Sequence, residues 1–228
     1  MFIHYAYRRV EKYMKKGFMI AFDGGNGAGK SSVIRMVGDR LSADGHQVVF
    51  SREPGGTVIG EKLREIVLSP DTPEMHDVTE AMIFAASRAQ HVRQLIIPAI
   101  EAGKVVICDR FAASGVSFQH YGRGISLHLI KSLNAIALGG FKPDLTIILD
   151  IDPEVGAQRV KARGEKLERV ELAELDFHAR AREGFLAQAR ENPDDYRIID
   201  ASKSLDQVIN DVFNVINEKM SRVIQFIA

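Results

Sequence analysis

Eight consecutive residues constrain this chain more than any other feature. Gly24-Gly25-Asn26-Gly27-Ala28-Gly29-Lys30-Ser31 satisfies G-x-x-x-x-G-K-[ST]. The match stands between a short apolar run, Phe18 to Phe22, and a segment of helical spacing, Ser31 to Leu41. Strand, glycine-rich turn and helix in that order point backbone N–H groups inward, and the helix end adds partial positive charge. Such a cradle suits the phosphates of a nucleoside triphosphate. Lys30 is placed to reach the β- and γ-phosphates and the Ser31 hydroxyl to ligate Mg²⁺. The candidate ATP-binding set is therefore Gly24, Gly25, Asn26, Gly27, Ala28, Gly29, Lys30, Ser31 and Ser32. A glycine-rich turn arising by chance is the bland alternative, and the flanking strand and helix weigh against it.

The rest of the chain continues the alternation. Apolar runs at Val48 to Phe50, Val105 to Cys108, Leu145 to Leu149 and Arg197 to Ile199 lack polar alternation, the habit of strands buried on both faces of a parallel sheet. Between them the spacing predicts helices over Glu61 to Leu68, Val78 to Glu101, Leu127 to Leu138, Pro153 to Arg163, Val170 to Glu191 and Leu205 to Lys219. Pro98 is expected to kink or end the second of these, and Pro153 to start a helix. The pattern predicts an α/β fold of three layers, a parallel five-stranded sheet flanked by helices with the P-loop at its first strand. Ligands in such sheets bind outside the carboxyl ends of the strands. Asp109, at such an end, is a candidate partner for Mg²⁺ alongside Ser31.

Composition removes several classes. Thirty Lys+Arg stand against 30 Asp+Glu over 228 residues, which argues against a nucleic-acid binder that works by global positive charge. Hydrophobic residues make up 46%, enough for a sizeable core in one domain. The single Cys108 excludes an intramolecular disulfide and fits a reducing compartment, the cytoplasm. No apolar run reaches the ~18 residues that a membrane span needs. Residues 1 to 17 read as a basic extension, with Arg8, Arg9, Lys12, Lys15 and Lys16 against Glu11 alone. A solvated extension or an upstream start, with Met14 or Met19 as alternatives, is favoured there over a secretion signal, and an amphipathic surface helix is a further reading. Residues 18 to 228 are expected to form a single domain.

Further motifs follow in order: Arg52-Glu53-Pro54-Gly55-Gly56-Thr57, Phe84-Ala85-Ala86-Ser87-Arg88-Ala89-Gln90, Asp109-Arg110-Phe111, Ser114-Gly115, Gly122-Arg123-Gly124, Lys142-Pro143-Asp144-Leu145, Arg159 to Gly164 and Asp200-Ala201-Ser202. In this order and spacing the chain resembles the thymidylate kinase family over about residues 18 to 215. The resemblance implies ATP-dependent phosphorylation of dTMP to dTDP with Mg²⁺, and a homodimer. It implies that Arg52 and Arg110 hold the acceptor phosphate, a task suited to the planar guanidinium fork. It also implies that Phe84 stacks on thymine and Arg88 bonds its carbonyl edge, with Asp23, Asn26, Ser114, Gly115 and Phe118 completing the dTMP pocket. By helical periodicity alone Phe84 reads as a core residue.

Residues of about 159 to 171 resemble the family's mobile lid, with Arg159, Arg163 and Arg169 as candidates to approach the ATP phosphates, Arg163 first. A solvated helix face with i,i+4 pairs is the plainer reading of those arginines. The loop interior carries no basic residue of its own, so the lid must supply the catalytic charge beside Lys30 and Arg110, as in the bacterial branch. Two departures stand out. Asn26 occupies a place where the family generally has Asp or Glu, which loosens the expected sugar contact, and Asp23 stands where Glu is usual. The rivals are a kinase for another nucleotide such as dUMP or CMP, an ATP-dependent partner-binding module, and a switch GTPase. The last would need a guanine-reading Asn-Lys-x-Asp, and the chain contains none.

Overall fold

The computed structural model describes residues 17–164 and 167–227, with side chains to residue 221. The basic segment 1–16 and lid residues Glu165 and Lys166 lie outside the described residues. Five parallel strands, β1 (Phe18–Gly24), β2 (Val48–Arg52), β3 (Val105–Asp109), β4 (Leu145–Asp150) and β5 (Tyr196–Asp200), pair in the order β2-β3-β1-β4-β5. The helices are α1 (Lys30–Ala43), α2 (Val58–Leu68), α3 (Asp77–His91), α4 (Ile97–Glu101), α5 (Ala112–Gly115), α6 (Leu127–Leu138), α7 (Pro153–Ala162), α8 (Leu175–Glu191) and α9 (Leu205–Ile227). All five expected strands form, and the sheet is the expected α/β layer.

Alternation along buried strands builds the three layers. Phe18, Ile20 and Phe22 of β1, with Ile147 and Leu149 of β4, meet Val33 and Val37 of α1 and Val212, Phe213 and Ile216 of α9. The intervening Met19 and Ala21, with Val106 and Cys108, face Val92, Ile96 and Ile100 on the other side. Ile148 packs among Phe177, Ala181 and Phe185 of α8. Each such large apolar side chain contributes about 1.5–3 kcal/mol on burial. The three central strands are covered on both faces; edge strands β2 and β5 are not, and expose Phe50 and Ile198.

Several helices depart from the sequence expectation. The segment 78–101 is α3 and α4 joined by a π-helical turn, Val92–Ile96, in which Ile97 N–H donates to Val92 O. Pro98 has no N–H to give and its ring crowds the preceding turn, so the helix widens upstream instead of ending. Ala112–Gly115 and a second π segment, Val116–Gly122, form where glycine-rich sequence hid any helix. Tertiary packing overrides propensity there: a Cβ on Gly122 would lie 2.5 Å from the Phe177 ring, and one on Gly184 2.8 Å from Tyr121. Helix α8 starts at Leu175, not Val170, because Arg169 N–H donates to Leu68 O and Val170 is buried, which fixes that backbone to the end of α2. Helix α9 continues past Lys219. Among the described residues no helix is long and apolar enough to cross a membrane.

Candidate active site

The loop after β1 turns where only glycine fits. Gly24 has φ 128°, and a Cβ there would meet Leu149 O at 2.3 Å. Gly27, at φ 75°, lies so close to α7 that a Cβ would meet Gly156 O at 2.2 Å; one on Gly156 would meet Asn26 O at 2.4 Å. The cradle and α7 therefore touch backbone to backbone. Lys30 is buried, its Nζ donating to Gly25 O at 2.8 Å. Burial, then the nearby Arg110 charge, lowers its pKa to about 7 against the pull of Asp109 and Asp23. Ser31 Oγ donates to Asp109 Oδ2 at 3.4 Å, at the tips of α1 and β3.

Beside it, Arg110 is the only described non-glycine residue at positive φ, 68°. That conformation costs about 1–3 kcal/mol and is held from several sides. Arg110 N–H donates to Phe22 O at 2.7 Å, and Asp23 accepts Phe111 N–H at 3.2 Å and Ser114 Oγ–H at 2.5 Å. The Arg110 guanidinium bonds Gly24 O, Ser114 Oγ and, at 2.5 Å, Asn26 Oδ1, and lies 5.0 Å over the Phe118 ring. Asp23, expected in the dTMP pocket, is 0% exposed behind the loop. Burial raises its pKa to about 7, offset in part by Ser114, Arg110 and Lys30. Its two bonds hold the backbone that follows Arg110.

A cavity of about 700 Å³ opens along the carboxyl ends of β1, β2 and β3. Asn26, Gly27, Gly29, Lys30, Ser31, Ser32, Asp109, Arg159 and Arg163 line one part; Arg52, Phe84, Arg88, Arg110, Ser114, Gly115 and Phe118 line the other. Gly24 and the buried Ala28 shape the loop from behind, and Gly25 lines a smaller cavity under α7. Arg52 pairs with Glu61 at 2.9 Å. Arg88 is buried and held on three sides, by Glu53 Oε2 at 2.7 Å, Asn134 Oδ1 at 2.8 Å and Phe111 O at 3.3 Å. Glu53 in turn meets His91 Nδ1 at 3.0 Å, and His91 Nε2 meets Ser51 Oγ at 2.6 Å. Phe84 combines the two readings of the sequence, since it packs against the α8 cluster and also lines the cavity.

The lid arginines diverge. Arg163 reaches Glu171 at 2.6 Å, and Arg159 bonds Ala201 O at 3.3 Å and Gly27 O at 3.5 Å. Arg169 does not line the cavity: its guanidinium is paired with the buried Glu80 and bonds Val67 O. Sequence reasoning missed Glu53, Gln119, Arg64 and Glu168, all of which line the cavity. The Arg-Glu-Pro-Gly-Gly-Thr stretch already contained Glu53, and Gln119 lies one residue after Phe118. The Arg64–Glu168 pair, 2.6 Å, joins residues far apart in the chain and left no local signal.

The family model described as thymidylate kinase matches residues 22–212. The chain belongs to the thymidylate kinase family. It is 43% identical over 203 residues to a thymidylate kinase of Pelotomaculum thermopropionicum, covering 89% of this chain and 94% of that one. The thymidylate kinase of Deinococcus radiodurans is 41% identical over 206 residues, covering 90% and 99%. Among solved structures, thymidylate kinase from Ehrlichia chaffeensis superposes with a TM-score of 0.72 at 29% identity, covering 88% of this chain and 98% of that one. Membership makes the chain a nucleotide-phosphorylating transferase, and the sheet order and phosphate cradle are those of a P-loop kinase.

Proposed function

We propose that this enzyme transfers the γ-phosphoryl group of ATP to the 5′-phosphate of dTMP, giving dTDP and ADP. One observation carries the reading: a single cavity joins the phosphate cradle to a second basic end walled by Phe84 and Arg88. The acceptor's attacking oxygen is already anionic, so no strong general base is required and catalysis is positioning plus charge neutralisation. Lys30 and Arg159 or Arg163 neutralise the transferring group, and Arg110 with Arg52 aims the acceptor phosphate. Asn26, through Arg110, links the cradle to the acceptor. Closure of the lid excludes water as a competing acceptor.

Ser31 and Asp109 would hold Mg²⁺. Two hard oxygen donors suffice for an ion that keeps waters and substrate phosphates as its other ligands, and among the described residues no larger cluster of metal-binding side chains forms. Held there with ATP, the ion would supply charge neutralisation for the phosphates.

The proposal includes a cytoplasmic location and one kinase domain over 18–228 preceded by a basic extension. It also includes a homodimer, supported by the exposed Ile59 and Ile66 of α2, Met82 of α3 and Ile136 of α6. ADP release with Mg·ATP against dTMP, dUMP, CMP, dCMP and purine monophosphates tests the substrate. Highest kcat/KM with dTMP is expected. Equal rates across the panel, or ADP release without any acceptor, would refute it.

A further inference from the structure

Glu80 of α3 is 0% exposed and receives three side chains. Its Oε2 accepts from Arg123 at 3.2 Å and from Arg169, while its Oε1 accepts Gln119 Nε2 at 2.8 Å. Both Glu80 oxygens accept hydrogen bonds here, Oε2 from the two guanidiniums and Oε1 from Gln119 Nε2, so the Gln119 amide turns its nitrogen toward Glu80. Its oxygen is then left for the cavity that Gln119 lines, and among the described residues it takes no bond from the protein. Arg88 lines the same cavity and can only donate; three of its five N–H groups are already engaged. The wall thus offers one donor and one acceptor to a flat base.

We propose that Glu80 is a positioning residue for base recognition: it fixes the Gln119 amide with oxygen toward the cavity, so that the pocket takes a pyrimidine bearing an N3–H beside a carbonyl. Thymine and uracil present that edge. Cytosine presents the reverse, a bare N3 beside an amino group, and leaves both protein groups unsatisfied. The inference rests on the kinase reading above.

The test is Glu80→Gln. Its oxygen stays with the two arginines and its amino group replaces Oε1, so Gln119 must turn round and offer N–H to the cavity. dUMP and dCMP differ only at this edge, so the readout is their kcat/KM ratio. The expected result is a fall in the dUMP:dCMP ratio of at least about tenfold, with KM for ATP within twofold of the parent. Arg88 still favours dUMP, so the ratio need not invert. Equal losses for both acceptors would mean that Glu80 is only structural and would overturn the proposal. Should Glu80→Gln show no cooperative melting, Gln119→Met with Glu80 intact must lower the ratio likewise, and an unchanged ratio overturns it too. Parent enzyme that turns over no pyrimidine monophosphate would sink the kinase reading and this inference with it. Turnover of dTMP with an unmoved ratio sinks this inference alone.

Discussion

Gly156 makes the coupling between helix α7 and the phosphate cradle testable. Inside an exposed helix, glycine to alanine ordinarily stabilises by about 1 kcal/mol. Here a Cβ would sit 2.4 Å from the Asn26 carbonyl oxygen, whereas ordinary contact begins at 3.4 Å. Neither neighbour is a flexible side chain, so the loop or the helix must move by roughly 1 Å, and misplacement on that scale costs on the order of 10²-fold in rate. Gly156→Ala should therefore lower kcat by about tenfold to a hundredfold. Because Asn26 also receives the Arg110 guanidinium, KM for dTMP should rise together with KM for ATP. Gln158→Ala, exposed on the same helix, serves as the control and should change neither. The assay is coupled ADP release with circular dichroism melting on each variant. A folded Gly156→Ala enzyme within twofold of the parent would refute the claim that this contact holds the cradle in register.

Three further outcomes follow from the site. Arg52→Ala should raise KM for dTMP by about tenfold to a hundredfold, the worth of charge-assisted hydrogen bonds to phosphate, with KM for ATP nearly unchanged; equal effects on both substrates would remove Arg52 from the acceptor's side. Lys30, with its pKa lowered to about 7 by burial, is largely neutral at pH 8 in the free enzyme, and ATP phosphates favour its charged form. ATP binding at pH 8 should therefore take up a proton and weaken as pH rises above 7, seen as calorimetric heats that vary with buffer ionisation enthalpy; buffer-independent heats would contradict it. Cys108 is fully buried, which raises its thiol pKa well above the usual range. The folded protein should not react with a thiol reagent until it unfolds, and rapid modification of native enzyme would show that the sheet opens locally.

What the sequence revealed and what it hid divide along physical lines. The three central strands are readable because burial on both faces removes polar alternation, and the cradle because its glycines, Lys30 and Ser31 are contiguous. The resemblance alone puts Asp23 in the dTMP pocket. Its burial, with both oxygens engaged by Ser114 and Phe111, has no local signal in the sequence. The ties from Arg88 to Glu53 and Asn134, from Glu80 to Arg123 and Arg169, and from Gly27 to Gly156 span large separations in the chain. No local pattern encodes them. Arg169 stands apart for the same reason: three arginines near one another in sequence read as one lid, and the fold turns this one toward the buried Glu80. The π turn at Val92–Ile96 leaves no signal because periodicity assumes a 3.6-residue repeat and Pro98 forces a wider one.

The central claim is that one cavity passes a phosphoryl group directly from ATP to dTMP. Incubation with ATP labelled in the γ-phosphate, Mg²⁺ and dTMP, followed by chromatography of the products, tests it most directly. Label should appear in dTDP, one for one with ADP formed. Label recovered as inorganic phosphate, with dTMP unchanged, would contradict the account.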